Sequence, residues 1–277
     1  MCITSLSTLL QGIVAVPSVF DVTIHGLKTD SREVASGDAF IALSGARTPA
    51  DFYVDKAIAA GATVILLEAQ QAGECTEHHG ALIVPVAGLR SLVGRIADRF
   101  FEHPSQRLRL IGVTGTNGKT SVCQYVAQLL KETGTPCGIL GTLGYGMPGA
   151  LQPATHTTPD AVQVNRVLSR IVKQEGRAAV MEVSSHALDQ ARVAGVSFDV
   201  AVLTNLGRDH LDYHGDLSRY AAAKHRLFRW PGLQAAVLNR DDNYGRAWAH
   251  ELAAGVSCVS YGIDGPLGRG GRQLIAR

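Results

Sequence analysis

Disulfide frameworks and cysteine metal sites are the first things this chain lacks. Its five cysteines, Cys2, Cys75, Cys123, Cys137 and Cys258, form no CxxC pair and no cluster of metal-ligand spacing. An odd count at scattered positions fits reduced thiols in a cytoplasmic protein. Charge of one sign is also lacking. There are 26 Lys+Arg against 24 Asp+Glu, a formal +2, with no block of like charge. A protein that binds nucleic acid or a membrane surface carries a basic patch, so neither partner is expected. No apolar run approaches the ~20 residues of a bilayer span. The start, Met1-Cys2-Ile3-Thr4, has no basic region followed by an apolar stretch, so no secretory signal is expected. Internal repeats are absent too. What remains is ordinary globular composition: 277 residues, 46% hydrophobic and 18% charged. That length allows one large domain or two modest ones, with roughly 70% of the unfolded surface buried.

Apolar strands alternate with helical stretches along most of the chain. Strands are expected at Asp38 to Leu43, Thr63 to Leu67 and Leu82 to Val84, the last ended by Pro85. Helices are expected at Phe52 to Ala60 and Leu89 to Phe101. His103-Pro104-Ser105 then stops the pattern, because the residue before a proline avoids helix. Domain one is therefore placed at residues 1–106. A second unit, 107–264, runs from a strand at Leu108 to Val113 into a helix on which Val122, Tyr125, Val126, Leu129 and Leu130 repeat. Further strands are expected at Ala178 to Val183, Asp199 to Thr204, Ala235 to Asn239 and Val256 to Tyr261. Helices lie between them near Ala161 to Gln174, Ser218 to Phe228 and Tyr244 to Ala253. Such alternation argues an α/β fold with a parallel sheet covered on both faces. Residues 265–277, rich in glycine and arginine, read as a disordered tail.

Between the strand at Leu108 and the helix after it lies Thr114-Gly115-Thr116-Asn117-Gly118-Lys119-Thr120. Strand, glycine turn, lysine, hydroxyl, helix is the recipe for gripping a polyphosphate. Glycines let backbone N–H groups approach the oxygens, and the helix N-terminus adds positive potential. Lys119 would pair with the β/γ-phosphates of ATP, and Thr120 would offer its hydroxyl to Mg²⁺. The common pattern has glycine six residues before the lysine; Val113 stands there instead.

Other residues are ambiguous by themselves. Glu182 ends a strand, where a carboxylate can hold Mg²⁺ or simply face solvent. His210 and His214, four apart, could share a helical face on zinc, yet loop histidines more often only hydrogen-bond. His210 is favoured as a Mg²⁺-adjacent group. Lys224, in Tyr220-Ala221-Ala222-Ala223-Lys224, reads locally as a solvated helix lysine. Arg192 could clamp a carboxylate or phosphate. Thr29-Asp30-Ser31-Arg32 could be a plain turn, and Thr157-Thr158-Pro159 a helix start with proline in its first turn.

Taken together and in order, these segments resemble the Mur ligases of peptidoglycan synthesis, over nearly the whole chain to about Gly262. The matching pieces are Thr29 to Arg32, Thr114 to Thr120, Thr157-Thr158-Pro159, Glu182 to His186, Gln190 with Arg192, Thr204 to Gly215, and Ala222-Ala223-Lys224. The resemblance implies a small N-terminal α/β substrate domain followed by an incomplete parallel-sheet P-loop ATPase domain. It assigns Thr29 and Ser31 to the UDP part of the substrate. Thr157, Thr158, Ser184, Gln190 and Arg192 would hold the muramoyl dipeptide. Thr114, Gly115, Thr116, Asn117, Gly118, Lys119 and Thr120 would bind ATP. Thr120, Glu182, His210 and Lys224 would surround Mg²⁺, Lys224 as a carbamylated lysine, and Lys119, Lys224 and His210 would be the catalytic set. The implied reaction joins a diamino acid, meso-diaminopimelate in the Gram-negative-type enzymes, to UDP-MurNAc-L-Ala-D-Glu through an acyl phosphate, in a cytoplasmic monomer.

Departures from the family pattern are His156 for asparagine, Gly207 for serine, and Thr48-Pro49-Ala50-Asp51-Phe52 for an Asp-Gly-basic turn. The family's Asp-Asn-Pro-Arg motif and third domain are not found, so the chain alone is expected to form no peptide product. Two alternatives stand beside this. One is a non-catalytic module that binds the UDP-muramoyl dipeptide or ATP. The other is a folylpolyglutamate-synthase-like ligase, against which Thr29 to Arg32 and Glu182 to Arg192 argue.

Overall fold

The computed structural model describes residues 2–45, 48–263 and 272–275. Contacts divide the chain into Met1–His103 and Pro104–Arg277. In the first unit, β1 (Thr4–Ser5) leads into α1 (Leu6–Leu9) and pairs antiparallel with β2 (Thr23–Ile24). The main sheet contains β3 (Gly26–Lys28), β4 (Asp38–Ala42), β5 (Val64–Ala69), β6 (Thr76–His78) and β7 (Ala81–Ala87), with α2 (Val54–Ala59) and α3 (Leu89–Phe100) as its helices. Its order is β3-β4-β5-β7-β6, parallel except for β6. His25 separates β2 from β3, which belong to different sheets. Gly26 lies so close to β4 that any side chain there would overlap the Asp38 carboxylate.

Pro85 does not end its strand as the sequence suggests; β7 runs through it. Leu82 N–H donates to Thr63 O on the β5 side. Alternate backbone groups face opposite edges, so the donor that Pro85 lacks would face away from β5. On that outer edge β6 pairs only with Ala81 to Ile83. The proline sits past the last paired position, where its missing N–H breaks no ladder.

The second unit contains β8 (Arg109–Thr114), α4 (Lys119–Glu132), β9 (Cys137–Gly141), β10 (Gly144–Gly146), α5 (Ala161–Lys173), β11 (Ala178–Glu182), α6 (Ser185–Asp189) and β12 (Val200–Leu203). After these come α7 (Leu211–His214), α8 (Leu217–His225), β13 (Ala235–Asn239), α9 (Asn243–Ala249), β14 (Ser257–Gly262) and β15 (Arg272–Ile275). The sheet order is β10-β9-β11-β8-β12-β13-β14-β15, with only β10 antiparallel to its neighbour. Two apolar clusters cover it. One joins Cys123 and Ala127 of α4 to Val113, Ile139 and Val180. The other joins Val164, Leu168 and Ile171 of α5 to Met181, Phe198, Leu227 and Trp248.

Three expectations need correction. On α4, Tyr125 and Leu129 are exposed; the small Cys123 and Ala127 let the helix lie close to the sheet and turn its buried stripe away from them. Pro159 does not begin a helix: Asp160 is the cap, accepting from Val162 N–H and Gln163 N–H, and α5 starts at Ala161. Within the tail expected to be disordered, Arg272–Ile275 instead pairs with β14, whose open edge offers unsatisfied backbone groups. Residues 265–271 and 276–277 of that tail lie outside the described residues. Among the described residues, no helix is long and apolar enough to cross a membrane.

Candidate functional site

In the second sheet β8 lies between β11 and β12, and the chain leaves it toward β9 on one side before returning to β12 on the other. That is a topological switch point, where a crevice opens beyond the strands' carboxyl ends. The glycine loop sits there. Gly115 has φ +145° and Gly118 φ +82°, so both use backbone that side chains resist. A Cβ on Gly115 would also run into Thr204 Oγ1 and the Asn205 backbone. The segment after β12 anchors the loop. Thr116 N–H donates to Asn205 O at 2.8 Å, and Asn117 N–H to Asn205 Oδ1 at 3.1 Å. Thr204 Oγ1 donates to Asn117 O at 2.6 Å.

Lys119 opens α4 and folds back over the loop. Its Nζ donates to Gly115 O at 3.0 Å and Thr116 O at 2.9 Å. Burial pushes its ammonium below the ordinary lysine range, against the pull of Glu182 and Asp209. Lys224 is not the solvated lysine its helix suggests: it is 1% exposed. Its Nζ donates to Gly115 O at 2.8 Å and stands 4.6 Å above the Tyr220 ring. Burial, helped by the charge of Lys119, pushes it down to about 7.

Glu182, also 1% exposed, closes the other side. Its Oε2 accepts from Thr120 Oγ1 at 3.0 Å. Its Oε1 accepts from Thr142 N–H at 2.8 Å. A buried carboxylate beside a helix-start hydroxyl is a set of hard oxygen donors, which suits Mg²⁺. Thr114 Oγ1, at the end of β8, is buried without a hydrogen-bond partner. His210 stands apart from this pair. At φ +50° it precedes α7, lies 3.5 Å from Asp209 Oδ2, and meets the His186 ring edge-on at 4.7 Å. Among the described residues no hydrogen bond joins it to Thr120 or Glu182. His214 does not complete a metal set with it: His214 Nε2 lies 3.0 Å from Ser185 Oγ.

The residues assigned to a dipeptide fall into one network with Glu182. Thr158 Oγ1 donates to Glu182 O at 2.7 Å and accepts from Ser184 N–H at 3.1 Å. Ser184 caps α6, its Oγ accepting from Ala187 N–H. Arg192 donates to Thr158 O at 3.0 Å and, through Nε and Nη2, to Gln190 Oε1 at 2.9 and 2.6 Å. Thr157 Oγ1 lies 3.2 Å from Thr142 Oγ1. Sequence reasoning missed Thr142 because the short glycine-bounded strand before it carries no strong signal. It also missed Tyr220 as a functional group, whose OH lies 3.1 Å from Thr116 Oγ1.

In the first unit, Thr29, Asp30, Ser31 and Arg32 line a cavity of about 480 Å³ together with Phe40, Tyr53 and Lys56. Asp30 caps the turn through Arg32 N–H and pairs with the guanidinium at 2.6 Å. Hydrogen bonds from Arg32 hold its carboxyl below the usual range. Asp55, His78 and His79 form a solvated surface cluster whose ligand atoms lie within 4.8 Å of one another.

A family model described as the Mur ligase middle domain matches residues 113–272, more than half of the chain. The chain belongs to the Mur ligase family. A second model, "Mur ligase family, catalytic domain", matches residues 23–101. Among curated relatives, the UDP-N-acetylmuramoyl-L-alanyl-D-glutamate--2,6-diaminopimelate ligase of Alkalilimnicola ehrlichii is 51% identical over 267 residues, 94% of this chain and 54% of its own. The Pseudomonas aeruginosa protein of the same name is 51% identical over 231 residues, 83% and 47%. A solved structure of a protein so named superimposes with TM-score 0.78 at 31% identity, covering 94% of this chain and 52% of that one. MurF from Acinetobacter baumannii, at 24% identity and TM-score 0.66, shares the fold. This Mur ligase chain spans about half the length of the curated relatives it matches.

Proposed function

We propose that this Mur ligase chain carries the nucleotide grip and the UDP-muramoyl-dipeptide grip of an ATP-dependent ligase that adds meso-diaminopimelate to UDP-MurNAc-L-Ala-D-Glu. The carrying observation is the hydrogen-bonded run from Thr120 through Glu182 to Thr158, Ser184 and Arg192. It links the end of the glycine loop to Arg192 through Glu182 and Thr158, which supports a phosphate grip beside a group able to bind a carboxylate. The chemistry that fits is transfer of the ATP γ-phosphoryl group to the D-glutamyl γ-carboxylate, then displacement of phosphate by the incoming amine.

Each part has a task in that scheme. Gly115 to Gly118 would cradle the phosphates, with Thr114 setting the turn at the strand end; the Thr116 and Asn117 N–H groups would first have to leave Asn205. Lys119 exchanges its two carbonyl partners for phosphoryl oxygens and stabilises their growing charge. Thr120 and Glu182, with His210 able to approach from its exposed loop, would hold Mg²⁺, which would neutralise phosphate charge. Lys224, at about 7, is partly neutral near physiological pH. A neutral amine can take up CO₂, and the carbamate N–H that remains can keep the bond to Gly115 O. Thr157, Thr158, Ser184, Gln190 and Arg192 orient the dipeptide, and Thr29 and Ser31 the uridine diphosphate. A cytoplasmic location and a monomeric state belong to the same proposal, both taken from the family resemblance.

Calorimetry with Mg·ADP and, separately, with UDP-MurNAc-L-Ala-D-Glu tests the reading. Binding of both is expected; absence of heat with either overturns it. With ATP, Mg²⁺, the dipeptide and diaminopimelate together, no peptide product is expected from these residues alone, because none of the residues assigned above is given the task of positioning the incoming amine.

A further inference from the structure

Thr142 touches both halves of the central site, although nothing in its local sequence marks it. It is the first residue past β9. The strand's last residue, Gly141, packs so closely on the Glu182 side chain that any Cβ there would overlap the carboxylate. That approach sets the Thr142 N–H 2.8 Å from Glu182 Oε1. The Thr142 hydroxyl lies 3.3 Å from Glu182 Oε2 and 3.2 Å from Thr157 Oγ1. Glu182 Oε2 accepts from Thr120 Oγ1 as well. One hydroxyl therefore stands between the carboxylate beside the phosphate loop and a threonine of the dipeptide network.

A threonine hydroxyl has a single proton to donate. It can point at Glu182 or at Thr157, but not at both. The ionised carboxylate is the stronger acceptor while its lone pairs are free. A cation drawing on Oε2 weakens that acceptor, and the Thr142 proton turns toward Thr157. Thr157 must then direct its own proton elsewhere, into the space where a substrate would lie. The backbone N–H of Thr142 meanwhile keeps Glu182 Oε1 in place.

We infer that Thr142 is a positioning residue that couples the two ligand sites, its hydroxyl reporting the occupancy of Glu182 to Thr157. The inference rests on the ligase reading above. Coupling between two sites is reciprocal, so bound dipeptide must tighten nucleotide by the same factor as nucleotide tightens dipeptide.

The test is a set of calorimetric titrations on the 277-residue chain. The Kd for UDP-MurNAc-L-Ala-D-Glu is measured alone, with saturating Mg·ADP, and with ADP in EDTA. The unsubstituted chain is expected to bind the dipeptide about fivefold or more tightly with Mg·ADP than alone, and to show no such change with ADP in EDTA. Thr142→Val keeps the shape and the backbone N–H but lacks the hydroxyl; its Mg·ADP effect should fall to within about twofold. Thr142→Ser should restore the effect, which a merely structural role would not require. Thr142→Ala gives a second hydroxyl-free variant should the valine fail to fold. An undiminished effect in the hydroxyl-free variants overturns the inference, as does binding of both ligands by the unsubstituted chain with no effect at all. Failure of that chain to bind either ligand overturns the ligase reading itself.

Discussion

Past the carboxyl end of β3, the first unit holds Arg32 and Asp30 with side chains 87% and 35% exposed. Past the carboxyl ends of the second sheet, Glu182 and the loop's neighbour Lys224 are each 1% exposed. Both units are parallel-sheet α/β layers with polar groups beyond their strands, yet those groups are held in opposite ways. In the first, the charges pair in water, where screening leaves little net energy and either partner can leave for a ligand. In the second, water has been removed. Glu182 and Lys224 are then fixed by specific partners, because an unpaired buried charge is costly. The first arrangement suits an adaptable pocket. The second suits a site whose geometry and protonation must be set beforehand.

Substitutions in the two units should break or sharpen this contrast. The largest effect is expected from Gly115→Val. Its side chain would collide with Thr204 and demand an unfavourable φ, so Mg·ADP affinity should fall by on the order of 100-fold. UDP binding, measured in the same calorimeter, should hold within about twofold. A parallel loss of both would show that the two units do not act separately.

Glu182→Gln comes next. It keeps the shape and some of the hydrogen bonds while deleting the charge. The Mg²⁺ dependence of ADP binding should weaken roughly 10- to 100-fold, and binding in EDTA should change little. An unaltered Mg²⁺ dependence would remove Glu182 from the metal site.

Lys224→Met addresses the cost of the buried charge. The folded value is about 7 against an ordinary 10.5. Between those values the unfolded chain binds a proton that the folded chain does not, so stability rises with pH across that window and is level below it. The methionine variant should be more stable than its parent at pH 7, by roughly 1–3 kcal/mol. Its urea-unfolding profile should climb less between pH 7 and 10 in CO₂-free buffer. An unchanged slope would mean that Lys224 does not titrate there.

The smallest effect belongs to the exposed pair. Arg32→Ala should leave the unfolding midpoint unchanged while lowering UDP affinity about threefold, more at low salt. A large drop in midpoint would show that this turn is structural.

Much of the fold could be read from residue patterns where period and punctuation agreed. The strand at Ala235–Asn239 and the glycine-lysine turn between β8 and α4 are examples. Elsewhere a local rule lost to tertiary context. Pro85 reads locally as a stop, but β7 runs through it because its missing donor faces an open edge. Tyr125 and Leu129 share the helical period of their neighbours, yet the sheet contacts Cys123 and Ala127. Glu182 and Lys224 were bland or ambiguous by themselves, and only their place in an ordered family pattern singled them out. Thr142 carried no signal of either kind.

The sequence by itself determined the alternation of strands and helices, the glycine loop, and the family order of the site segments, because these depend on spacing along the chain. It did not determine which polar groups lose their water. That was decided when β8, β9, β11 and β12 brought Gly115, Thr142, Glu182 and Thr204 to one crevice and α8 laid Lys224 beneath it. Desolvation and hydrogen-bond partnership are properties of neighbours distant in sequence, and only folding chooses those neighbours.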